Sequence, residues 1–134
     1  MDFLQSRTFF QRDLCAFSTQ LIQERGIGFT VEFETLPKID NEPYCEIKTS
    51  DGLLRLELYV DSANIISFFD GKEQSICLEC YEGHFSADVA DEYKSALPLA
   101  LKQYDGIPMA QVAETLSGKG IQSRWFRFFG ERNR

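Results

Sequence analysis

Cys77-Leu78-Glu79-Cys80 is the one C-x-x-C string in the chain. Zinc and dithiol sites of this spacing place both sulfurs on one side of a turn or helix start. Here the string lies in a segment of period-2 hydrophobicity, so Cys77 and Cys80 point to opposite faces. No second pair of this spacing completes a ligand set. His84 is the single histidine, with Glu79, Glu82 and Asp88 close by in sequence. Such an oxygen-rich group suits a divalent cation, and the imidazole suits a general base. A solvated residue in a strand–helix loop is the simpler reading, because no nucleophile partner is marked. The chain also has no G-x-S-x-G, P-loop or dinucleotide-binding glycine pattern. The expectation is therefore a protein without catalytic residues, cofactor or metal.

Arg124 and Arg127 follow the break Gly118-Lys119-Gly120, an order that invites a helix-turn-helix reading. Trp125, Phe128 and Phe129 lie among them and suit a core better than a DNA groove. The charge argues the same way. The 134 residues carry a net −7, and residues 1–118 hold 9 Lys/Arg against 20 Asp/Glu, a net −11. Residues 119–134 reverse the sign, with 5 Lys/Arg against 1 Asp/Glu. An acidic body repels phosphate backbones and attracts basic proteins. No nucleic acid is expected as a partner. Contact between the basic tail and the acidic body of another copy would give a homodimer.

The length suits one domain, and the 43% hydrophobic fraction supplies one core. Phenylalanine occurs 12 times, which predicts an aromatic-rich core. No apolar run is long enough for a transmembrane helix, and the N-terminus lacks a secretory pattern. Cys15, Cys45, Cys77 and Cys80 sit in apolar contexts and read as reduced, mostly buried thiols of a cytoplasmic protein.

The elements that must position any site follow from periodicity. Phe3, Phe10, Leu14, Phe17 and Leu21 share one face of a helix over 3–24, capped by Asp2 and ended near Gly26. In residues 27–34, Ile27, Phe29, Val31 and Phe33 alternate with Gly28, Thr30, Glu32 and Glu34, the pattern of a half-buried strand. Asp51-Gly52 and Asp70-Gly71 mark two hairpins, and Asp61-Ser62 links them, making a five-stranded antiparallel meander over 27–81. Helices are expected over 86–104, with Pro98 kinking or ending it, over 108–117, and over the segment bearing Ile121, Trp125, Phe128 and Phe129. The fold class is α+β, a single domain.

The turns fix a register in which Cys45, Ile47, Leu56 and Leu58 share a face with Ala63, Ile65, Ile76 and Leu78. Leu58 is expected opposite Ile65, and Val60 opposite Ala63. The other face carries Glu32, Glu46, Glu57, Tyr59, Phe68, Glu79 and Tyr81, together with Tyr44, Lys48, Arg55 and Ile66. A C-terminal helix could cover it; left open, it is a surface for another protein. The reading chosen is a binding module that masks a basic protein partner. The acidic residues would pair with Lys and Arg, and the tyrosines and phenylalanine would anchor. In physical type this is similar to bacterial immunity proteins, which neutralise toxin domains, although no motif marks a family. A secretion chaperone or adaptor is one alternative. Another is a small-ligand domain with an aromatic pocket lined by Phe29, Phe33 and Phe69.

Overall fold

The computed structural model describes residues 3–36, 42–59, 62–69, 71–79, 87–118 and 126–133. Helix α1 (Phe3–Glu24) precedes five strands, β1 (Phe29–Leu36), β2 (Glu42–Thr49), β3 (Leu54–Leu58), β4 (Ser62–Phe69) and β5 (Lys72–Glu79). Helix α2 (Ala87–Ala100), a 3₁₀ helix (Leu101–Asp105), helix α3 (Met109–Gly118) and strand β6 (Phe126–Asn133) follow. The expected α+β arrangement is present: an N-terminal helix, an antiparallel meander and helices after it. The sheet is wider than expected, with six strands in sequential order.

The sixth strand corrects the reading of the last segment. Residues 126–133 pair antiparallel with β5, with Phe128 opposite Ile76 and Phe126 opposite Leu78. The spacing of Phe128 and Phe129 from Trp125 fits a helix, but the segment is short, aromatic and interrupted by Gly130. Those features suit a strand beside an unpaired sheet edge. Ile121, Trp125 and Arg124 lie outside the described residues.

In the β2–β3 register Cys45 lies opposite Leu58 and Ile47 opposite Leu56, which puts the four on one face as expected. The β3–β4 register differs from the expected one. Leu58 faces Ala63 and Leu56 faces Ile65, and the Tyr59 N–H donates to the Ser62 carbonyl. A slip of two residues leaves every side chain on its face, so alternation cannot distinguish the two pairings.

Helix α1 ends as its glycine predicts. Gly26 is left-handed (φ 73°), and the Ile27 N–H returns to the Ile22 carbonyl. Its buried stripe, however, is turned from the one read from the apolar residues. Leu14, Cys15 and Ile22 are buried together with the polar Gln11 and Ser18, while Phe17 and Leu21 are only partly buried. Hydrogen bonds make that burial tolerable. Gln11 Nε2 donates to the Leu58 carbonyl at 3.0 Å, and the hydroxyls of Ser18 and Tyr93 bond one another. The Cys15 and Cys45 thiols meet in the core; interaction with Cys15 and burial push the Cys45 thiol up, and interaction with Cys45 holds Cys15 down despite burial. Cys15, Cys45 and Cys77 are buried.

Helix α2 runs through Pro98 to Ala100 before tightening into the 3₁₀ helix. Its Tyr93 and Leu97, four residues apart on one helix face, are fully buried. Lys94 Nζ reaches Asp13 Oδ2 at 2.8 Å, and Arg25 grips Asp105 through two hydrogen bonds at 3.2 and 2.9 Å. Buried residues of all three helices form one cluster with Ile47, Leu56, Leu58, Ile65, Ile76 and Leu78. The helices thus cover one face of the sheet.

Candidate functional site

The opposite face is built by the register. Glu32 faces Glu46, Glu46 faces Glu57, Glu57 faces Asn64, Asn64 faces Cys77, and Cys77 faces Arg127. This single row crosses all six strands. None of its described side chains belongs to the core cluster under the helices. Among the described residues, the face is not covered by a helix.

Opposed like charges destabilise a strand pair by a few tenths of a kcal/mol. Here the cost is offset along the strands. Lys48 Nζ lies 3.1 Å from Glu46 Oε1, and Arg55 Nε lies 3.5 Å from Glu57 Oε2. Asn64 Nδ2 donates to Glu57 Oε1 at 3.1 Å. The side chains of Glu46 and Glu57 retain only 15% of their accessible surface, so these two acids are partly enclosed. Glu32, on the edge strand, is exposed.

The aromatic residues frame this row. Tyr59 is half-buried next to the two acids. Burial first, and then the charges of Glu57 and Glu46, push its phenol up. Phe68 is half-buried, and the Arg55 guanidinium lies 5.5 Å from its ring centroid. Ile66 and Cys77 are 8% exposed, so this is a packed surface. Glu46, Glu57 and Tyr59 are thus brought together, Phe68 joins them through Arg55, and Glu32 registers at the row's end. The Glu79 backbone registers with Ser62. The Glu79 side chain, Tyr81, His84 and Cys80 lie outside the described residues.

Sequence reasoning missed the part played by Lys48, Arg55 and Asn64. A cation two positions from each acid on one strand was the available signal. It also placed Phe33 in the buried alternation, whereas Phe33 is 60% exposed. Among the described residues the helices pack principally on β2 to β6.

Phe29, Phe33 and Phe69, the lining of the alternative aromatic pocket, are not brought together. Phe29 packs on the core, Phe33 faces solvent, and Phe69 meets Tyr104 edge-on with centroids 5.4 Å apart. A groove of about 270 Å³ lies beside Phe69, lined also by Lys72, Gln74, Gln103, Ile107 and Met109. Among the described residues, no three His, Cys, Asp or Glu side chains are grouped to hold a metal ion. Neither a family model, nor a curated protein, nor a solved structure matches this chain.

Proposed function

We propose that this chain is a protein-binding module that masks a basic protein partner. An immunity protein opposing a toxin domain is the concrete form that suits a small α+β chain of net −7. The observation that carries the reading is the sheet face that no helix covers among the described residues, with Glu32, Glu46 and Glu57 in one row beside Tyr59 and Phe68. Aromatic anchors within a charged surface are the usual composition of binding hot spots. Long-range attraction would come from the acidic body, since Glu46 and Glu57 are already paired within the face. The small-ligand alternative loses its carrier, because its three phenylalanines are not brought together.

Affinity capture from extract of the source cells tests this. Recovery of one basic protein is expected at about 0.05 M salt, with loss at about 1 M, where the screening length is roughly 3 Å. Glu32→Lys should weaken recovery, and Tyr59→Ala should reduce affinity by about tenfold or more. A neutral or acidic partner, or retention indifferent to salt, refutes the reading.

A further inference from the structure

The sheet order leaves β1 at an edge, and among the described residues no strand pairs with its outer side. The Ser50 N–H donates to the Gly28 carbonyl at 2.7 Å, so Gly28 and Ser50 form a hydrogen-bonded pair. Antiparallel ladders alternate hydrogen-bonded and non-hydrogen-bonded pairs. With Thr30 opposite Lys48 and Glu32 opposite Glu46, those pairs bond inward to β2. The N–H and C=O groups of Phe29, Val31 and Phe33 therefore point away from the sheet, along the open side. The register continues unbroken from Phe29 to Leu36. No proline or lysine falls within Phe29–Leu36 to blunt the edge.

The side chains supply a pattern to go with that backbone. Phe33 is 60% exposed, the one large hydrophobic residue so exposed among the described residues. Val31, on the same face, is half-buried, and Glu32 between them is exposed on the other face. A strand added here would set apolar side chains beside Val31 and Phe33 and a cation beside Glu32.

We propose that the free edge of β1 receives an extended segment of the basic partner as a seventh strand, one that alternates Lys or Arg with apolar residues. This rests on the basic-partner reading and adds the place and shape of the contact. A second copy is disfavoured as the occupant, because each copy carries −7. Antiparallel self-pairing centred on Glu32 would also oppose Glu32 to itself, and pairing centred on Phe33 would oppose Glu32 to Glu34.

The test uses the full chain and an eight-residue peptide alternating Lys with Val, compared with its Glu–Val counterpart. Amide exchange and chemical shifts are followed by NMR. The Lys–Val peptide should bind and slow exchange of the Val31 and Phe33 amides about tenfold, and the Glu–Val peptide should bind at least about tenfold more weakly. Phe33→Pro removes an outward N–H and an exposed ring without touching the bonds to β2, so it should fold and lose binding. Phe33→Ala keeps the N–H and should lose less. Four outcomes overturn the proposal. These are no binding of the Lys–Val peptide, equal binding of both peptides, self-association through β1 in sedimentation, and binding that shifts only Glu46, Glu57, Tyr59 and Phe68. The last would leave the basic-partner reading standing, whereas failure of capture at low salt would remove that reading itself.

Discussion

Three donors converge on one oxygen of Asp51. Thr49 Oγ1 approaches Oδ1 at 2.7 Å, the Leu53 N–H at 3.0 Å and the Tyr104 hydroxyl at 3.2 Å. The first two close the β2–β3 turn, and the third ties it to the 3₁₀ helix after α2. Partial burial works against the charge, but the bonds from Thr49, Leu53 and Tyr104 outweigh it and hold the carboxyl below its ordinary range. Burial pushes the Tyr104 phenol up to about 12. Because Asp51 is exposed, Asp51→Ala should lower stability by only about 1 kcal/mol, read from the urea midpoint. The sign with pH follows from the depressed value. Ionised Asp51 stabilises the fold above the unfolded value of about 3.9, and the contribution is lost as pH falls through the lower folded value. Asp51→Asn should flatten that part of the acid-stability curve; an unchanged curve would show that these bonds do not favour the ionised form. Asp51-Gly52 marks a turn in any sequence reading. Tyr104 as a partner could not be read, because it lies 53 residues away and reaches Asp51 only once α2 has packed.

The turn also fixes how the strands meet. The Gly52 N–H donates to the Thr49 carbonyl at 3.0 Å, and Gly52 is left-handed, with φ 74°. An L-residue there brings its Cβ against the backbone, so Gly52→Ala should cost about 1 kcal/mol although nothing lies within 4 Å of the added carbon. A urea midpoint equal to wild type would show that the turn relaxes instead. Elements of this kind were legible, because glycine turns and alternating hydrophobicity act locally. The meander, the α1 boundaries and the Glu46–Glu57 pairing all follow from them. Three features were not legible, each for a reason beyond the segment. The β3–β4 slip of two residues leaves the faces unchanged. The buried stripe of α1 includes Gln11 and Ser18, whose partners, Leu58 and Tyr93, lie far along the chain. Strand β6 depends on the open edge of β5, to which a helical reading of Phe128 and Phe129 is blind.

At the scale of the whole molecule, salt acts on folding and on partner binding with opposite signs. The chain carries −7 spread over a small body, while Lys94–Asp13, Arg25–Asp105, Lys48–Glu46 and Arg55–Glu57 are all in contact at 2.8–3.5 Å. Raising salt from about 0.01 to about 0.15 M shortens the screening length from about 30 to about 8 Å. That range removes repulsion between distant acids and leaves charges in contact largely unscreened. Each exposed pair is in any case worth only about 0–1 kcal/mol. The urea midpoint should therefore rise over this interval, by the equivalent of a few tenths of a kcal/mol. Association with a basic partner depends on the same long-range field, so its on-rate should fall over the same interval. Equilibrium unfolding and stopped-flow association on one preparation measure both. A falling midpoint would mean that close ion pairs outweigh the excess negative charge in stabilising the fold. An on-rate indifferent to salt would mean that the acidic body does not steer the partner, and the charge argument for a basic partner would fall with it.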